Sequence, residues 1–266
     1  YMENAFGGKA GNEGELLELM NKEKHHPLVG PIYINGVEAG MNIEVELINI
    51  QPDSVGYQCC SRTSGVIKLD PFSRNFQKIL YSEGMIDFDG LLMKANPSIG
   101  VIGTATKILT RSGRLGNNGG NIDLKELSIG SKIILPCGYN GALLYLGDMH
   151  MLQGNGEVSG IAAEASGILT FSVNIAKYTY NFPIIDTNDQ LVFVGYGDDI
   201  KESVRKAVEN AIFFLESQYE MKYVKAYMLL SLIGNVILGH STGKVVSSGI
   251  GILKSQLNYM KGEYIL

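Results

Sequence analysis

In NIEVELINI, Ile43, Val45 and Leu47 alternate with Glu44 and Glu46, the period of two that turns one face of a strand to a core and the other to water. The same reasoning predicts strands in KIILP, ALLYLGD, EVSGIAAEASG, ILTFSVNI and QLVFVGYG, with Leu169, Phe171, Val173 and Ile175 of ILTFSVNI facing inward. SIGVIGTATK reads as a buried strand whose glycines permit close backbone approach. Residues 51–98 carry no strong period and are expected to be short strands and loops.

After QLVFVGYG the period changes. DDIKESVRKAVENAIFFLESQYE places Ile200, Val204, Val208, Ala211, Ile212 and Leu215 on one stripe, opened by Asp198 and Asp199 as N-caps, which predicts a long amphipathic helix. KYVKAYMLLSLIGNV predicts a second helix, and GIGILKSQLNYMK completes an α-rich end. A shorter helix is expected in EGELLELMNK, where Leu16, Leu19 and Met20 fall at helical spacing. The strand intervals suit a β-sandwich or barrel, and without a repeat or flexible linker the parts are expected to pack as one body.

Composition narrows the picture. Glycine, at 33 of 266 residues, is well above the usual ~7% and implies many tight turns. The 45% hydrophobic content supplies a substantial core. A net charge of -5 without a Lys/Arg cluster argues against a nucleic-acid or anionic-membrane partner and for a small or neutral ligand. The apolar run Met228 to Leu238 is broken by Ser231, Gly234 and Asn235 and is shorter than the ~20 residues a bilayer span needs. YMENAFGG has no basic region followed by an apolar core, so a secretory signal is not expected there. Cys59, Cys60 and Cys137 form neither a disulfide framework nor a spaced zinc motif, which suits a reducing cytoplasm.

The polar chemistry concentrates in residues 116–164. GDMHMLQGNGE places Asp148 and His150 on one face of an extended backbone and returns Glu157 through a loop opened by Gly154 and Gly156. An imidazole with nearby carboxylates suits a divalent metal such as zinc, or, with mostly oxygen donors, a harder ion. Asp123 in GGNIDLKEL is a second candidate for metal binding or catalysis, although with Glu126 three residues later it also reads as a helical cap. Asn121 is a candidate for orienting a substrate carbonyl, or a turn residue beside Gly119 and Gly120. His26 is a further candidate ligand. Parity in an extended chain sets Glu157 and Glu164 on opposite sides. His240, after an apolar helical stretch, reads as a helix-dipole partner. Cys137 has no local basic partner to activate it as a nucleophile.

GGNIDLKELSIGSKIILPC, then GALLYLGDMHMLQGNGEVSGIAAE, resembles the acetamidase/formamidase family of linear-amide hydrolases, and the match extends to HPLVGPIYINGVEAG, PSIGVIGTA and AYMLLS. The resemblance implies an α+β, predominantly β fold: a mostly β body, drawn here over 1–180, and an α+β C-terminal portion over 181–266. It implies a homo-oligomer, dimer or higher, that hydrolyses a short amide such as formamide or acetamide to carboxylate and ammonia. The family's polar positions fall on Asp123, Asp148, His150 and Glu157, with His26 contributing from the N-terminal segment. A metal site of His150, Asp148, Asp123 and His26 follows, with zinc as the first candidate ion and calcium as the second.

In that scheme Glu157, His150 and Asp123 are catalytic, and Asn121, Gly154 and Gly156 contact substrate. A metal-free version uses a carboxylate and His150 as acid and base, with backbone amides of Gly154 to Gly156 facing the oxyanion. Three positions depart from the family pattern: Asn4, Asn155 and Met41 stand where aspartate is usual. They leave open a catalytically degenerate protein that binds or assembles without turnover, or a hydrolase of another small amide or ester.

Overall fold

The computed structural model describes residues 2, 26–60, 65–67, 69, 75–108, 110, 111 and 113–260. The helix expected at 13–22, together with Asn4 and His25, lies outside the described residues. In chain order the strands are β1 (Leu28–Ile32), β2 (Asn42–Cys60), β3 (Asn75–Ser82), β4 (Met85–Phe88), β5 (Leu91–Lys94), β6 (Ser98–Gly103) and β7 (Gly119–Asn121). They continue as β8 (Lys132–Pro136), β9 (Leu144–His150), β10 (Glu164–Ile175), β11 (Ile184–Asp186), β12 (Gln190–Gly197), β13 (Asn235–Leu238) and β14 (Val246–Leu253). The helices are α1 (Ile200–Tyr219), α2 (Tyr223–Ile233) and α3 (Lys254–Met260).

All fourteen strands belong to one sheet, in the order β13-β14-β12-β11-β8-β2-β10-β9-β6-β7, curled into a half-barrel with the helices at the C-terminal end. Among the described residues strands account for 45% and helices for 17%, the predominantly β, α+β composition the sequence predicts. β1 adds to β9, and β3, β4 and β5 form a meander that branches from β2.

β2 explains much of this shape. The alternation of Ile43, Val45 and Leu47 buries all three completely against the main core. The strand then runs on to Cys60 and pairs with β10, β8 and β3, so residues 51–60 form half of one long strand rather than short pieces. Register shifts in its pairing with β10 mark where the strand bends from one part of the half-barrel to another. On β10, Leu169, Phe171 and Val173 pack against the core as expected, whereas Ile175 at the strand end is exposed.

α1 lies across β12. Its N-cap is Asp199, whose Oδ1 accepts from the Glu202 amide at 2.8 Å, while Glu202 Oε2 accepts from the Asp198 amide at 3.0 Å. Ala211, Ile212 and Leu215 are buried as the stripe predicts, but the deepest contacts near the N-terminus come from Ser203 and Ala207, with Ile200 exposed. The helix sits so close to the sheet that a Cβ at Gly195 would stand 2.3 Å from Ser203 O, so only small residues fit beneath it. GIGILKSQLNYMK divides into the end of β14 and α3.

A candidate active site in a buried carboxylate and histidine cluster

The middle of the sheet gathers the polar residues of the cassette. β9 ends in Asp148 and His150, flanked by β6 and β10. Asp148 takes a left-handed conformation, φ 62°, which interrupts the strand's regular alternation. Opposite it on β6 stands Gly100, where a Cβ would lie 2.5 Å from both Asp123 Oδ1 and Asp148 Oδ2 and 2.9 Å from His150 Cε1. The glycine leaves room for three polar side chains to meet. Its carbonyl also accepts from the amides of Ile122 and Asp123, at 2.9 and 3.1 Å, which fixes the turn that aims Asp123 inward. Asp123, at φ 49°, is therefore not a helix cap.

His150 is almost fully buried, and Gln153 sets its orientation. Gln153 Nε2 donates to the Asp123 carbonyl at 2.7 Å, leaving Oε1 to accept from His150 Nδ1 at 3.2 Å. That arrangement turns His150 Nε2 toward Asp148 Oδ2, 3.7 Å away, and Glu164 Oε1, 3.5 Å away. A ligating histidine is commonly held in this way by its second nitrogen. On the outer side His26, half-buried and at φ 59°, places Nδ1 3.2 Å from Asp148 Oδ2.

The second half of the cluster comes from a distant part of the chain. His240 follows β13 and donates from Nδ1 to Glu157 Oε2 at 2.7 Å, with Asp123 Oδ2 3.6 Å away. Gly156 and His240 form a parallel bridge, and Ser247 Oγ accepts from the His240 amide at 2.6 Å. Gly239, beside His240, approaches Ile122 and Asp123 so closely that a Cβ would lie 2.6 Å from Ile122 O. His240 is thus a site residue and not a helix-end partner, because β13 carries it away from α2 and back to Glu157.

Glu164 also joins the site. Residues 157–163 belong to no strand, with Glu157 itself at φ 42°, so the strand begins at Glu164, which lies directly opposite His150 in the β9–β10 ladder. The parity that would separate Glu157 from Glu164 applies only to an unbroken strand. Gly154 lines a cavity beside Glu157. The Gly156 amide donates to Leu238 O at 2.8 Å, which removes it from the amides that could face an oxyanion. Asn121 Nδ2 donates to Asp123 Oδ2, so the atom it can offer a ligand is its carbonyl oxygen and not its amide nitrogen.

Four carboxylates and three imidazoles thus meet in one buried pocket of the sheet. Asp123, Asp148 and His150, then Asp123, Glu157 and His240, and then His150, Glu157 and Glu164 each bring ligand atoms within 4.8 Å of one another. The electrostatics show what this crowding costs. Burial, with Glu157 and Asp148 beside it, holds Asp123 well above the ordinary carboxylate range, and burial pushes Glu164 up to about 8. Asp148 raises His26 to about 9. Burial alone would lower His150, but Glu164, Asp148 and Glu157 outweigh it and raise the imidazole. Asp148 is likewise pushed up by burial and carried below its usual range by His26 and His150. Asp123 Oδ1, Glu164 Oε2 and Asn121 Oδ1 are buried without hydrogen-bond partners, an expensive arrangement for polar atoms unless something else binds them. This donor set, mixed imidazole and carboxylate with orphaned oxygens, fits a divalent cation.

Met41 lies elsewhere: its side chain packs against the main core, and Cys137 donates to its carbonyl. Cys137 is buried, and burial pushes its thiol up to about 11, so it is no nucleophile at neutral pH. No helix among the described residues is long and apolar enough to cross a membrane.

The chain is also similar to known proteins. Residues 106–247, which hold every member of the cluster except His26, match the model of the Acetamidase/Formamidase family. An acetamidase of Mycolicibacterium smegmatis is 30% identical over 137 residues, 42% of this chain and 34% of the relative. The matched segments span between 15% and 34% of the lengths of the curated relatives. Among solved structures, an acetamidase from Bacillus halodurans superposes with a TM-score of 0.92 at 25% identity, covering 99% of this chain and 90% of the other. One from Yersinia enterocolitica gives 0.90 at 26% identity, covering 96% and 82%. With more than half its length under the family model, and the whole sheet shared with solved acetamidases, the chain belongs to the acetamidase/formamidase family.

Proposed function

We propose that this protein hydrolyses short linear amides to carboxylate and ammonia, and that the cluster around His150 is its metal-assisted active site. The observation that carries the reading is the convergence of His26, Asp123, Asp148, His150, Glu157, Glu164 and His240 with orphaned carboxylate oxygens among them. His150, Asp148, Asp123 and His26 are the proposed ligands, with Glu164 completing the set. Two imidazoles among carboxylates favour zinc, with calcium as the second candidate. A divalent cation bound there would supply polarisation of the amide carbonyl and a more acidic water.

The remaining work falls to the chain's own residues. Glu157 receives the proton released as water adds to the carbonyl carbon and passes it to the departing nitrogen, and its 2.7 Å bond to His240 keeps the carboxylate aimed. Asn121 Oδ1 accepts from the substrate amide N–H, so Asn121 orients the leaving nitrogen. Gly154 faces the substrate from the turn at the cavity wall, beside Gly156. Gln153 is a positioning residue that holds the His150 ring. The reading includes a homo-oligomer, dimer or higher, supported by the exposed Tyr223, Val224, Tyr227, Met228 and Leu232 on α2. It also includes a reducing cytoplasm, supported by Cys60 and Cys137, neither of which is in a disulfide.

The test is ammonia release from formamide, acetamide and propionamide by purified protein, after chelation and after readdition of Zn²⁺ or Ca²⁺. Release that needs the ion and vanishes in a folded His150→Ala variant is the expected result. Folded, metal-loaded protein that releases no ammonia from any amide would transfer the family fold to a binding role.

A further inference from the structure

A cavity of about 270 Å³ opens beside the cluster, between the β3–β5 meander and residues 152–163. Ile79, Ile86, Phe88 and Met93 form one wall. Gln153 and Glu157 belong to both the cavity and the active site, so the two spaces share a wall. Of the other polar side chains at its edge, Asn155 is exposed, while Gln58 Nε2 donates to Ser159 Oγ, and Ser159 Oγ donates to Ile161 O, each at 3.0 Å. Beyond Glu157 and Asn155 the cavity presents mainly apolar surface.

Formamide and acetamide have three and four heavy atoms. At ~30 Å³ for each water-sized group they occupy roughly 90–120 Å³, under half of this space. We infer that the cavity is an acyl pocket, and that the preferred substrate is a primary amide with an apolar acyl group of roughly five to eight carbons, its carboxamide at the cluster and its chain against Ile86 and Met93. The inference rests on the amide-hydrolase reading. The reaction is unchanged in balance: water adds at the carbonyl carbon, the C–N bond breaks, and carboxylate and ammonium leave. The meander, which lies outside the path of the main sheet, thereby acquires a purpose as one wall of this cavity.

Steady-state kinetics on formamide, acetamide, butyramide and hexanamide test the proposal in the metal-loaded protein. We expect kcat/KM to rise about fourfold for each methylene buried. Met93→Trp, which fills the pocket, should lower hexanamide turnover at least tenfold and leave acetamide within twofold. Acetamide preferred over hexanamide, or both slowed alike by Met93→Trp, would overturn the acyl pocket while leaving amide hydrolysis intact. Should Met93→Trp not fold, Phe88→Ala at the cavity rim should instead erase the chain-length preference without changing acetamide. Should no amide turn over, the hydrolase reading fails by itself, and calorimetry with acetohydroxamate and hexanohydroxamate decides the pocket. Tighter binding of the longer chain, lost in the Met93 variant, upholds it, and equal affinities overturn it.

Discussion

A methyl group at Gly100 would displace Asp123, Asp148 and His150 together, although the Gly100 backbone is not in the left-handed region and would accept alanine. Gly100→Ala should therefore cost the fold about 1–3 kcal/mol of overpacking and lose metal binding far more completely; metal content after gel filtration, with urea unfolding alongside, separates the two effects. The shifted groups give a second prediction. Glu164 stays protonated up to about 8, and His26 up to about 9, whereas in the unfolded chain they titrate near 4.5 and 6.5. Between those limits the folded state binds more protons, so stability falls as pH rises. Asp123 and His150 shift in the same direction, and Asp148 matters only below 3.8. Chelated protein should thus melt at a lower temperature at pH 8 than at pH 5.5, and added Zn²⁺ should raise the melting temperature more at pH 8. A chelated protein more stable at pH 8 would contradict these protonation states. Asp123, Asp148, His150 and Glu157 were legible because the sequence places them in one glycine-rich cassette. His240 was hidden because 83 residues separate it from Glu157, and Glu164 because a turn broke the alternation used to place it.

At the scale of elements, the patterns read best where one face alone meets the core. β2 begins as Ile43, Val45 and Leu47 dictate, and α1 begins at Asp199 as a cap should. The reading failed where proximity, not periodicity, decided. Residues 51–60 lack alternation because two strands, β10 and β3, pair with this stretch in turn, and α1 packs its small residues deepest because Gly195 brings its backbone against β12. Two substitutions separate these causes. Asp199→Ala removes one cap bond and should cost about 1 kcal/mol. Gly195→Ala sets a Cβ 2.4 Å from Ala207 N, a backbone atom that cannot move without the helix, and should cost more, at the upper end of about 1–3 kcal/mol. Urea midpoints of the two variants measure the difference, and equal costs would mean that α1 shifts freely over the sheet.

For the whole molecule, the boundary between 180 and 181 divides the sequence pattern but not the sheet. β11 pairs with β8 on one side and β12 on the other, so the ladder crosses the boundary without a break. The second core, around Phe193, Ala211 and Leu215, includes Tyr180 from before it and Ile250 from after it. The buried polar cluster crosses it as well, since His240 meets Glu157. A chain joined in this way should unfold as one unit. With no tryptophan and 14 tyrosines, the near-ultraviolet tyrosine signal and far-ultraviolet dichroism can be followed together on heating, and the two are expected to coincide. Chelation should move the entire transition rather than split it, because the proposed ligands tie the segment after β7, β9 and β10 to one point and His240, from the segment after β13, is bonded to Glu157 beside them. Two separate transitions, with only the second unaffected by chelation, would mean that residues 181–266 fold independently and supply His240 to a site already formed.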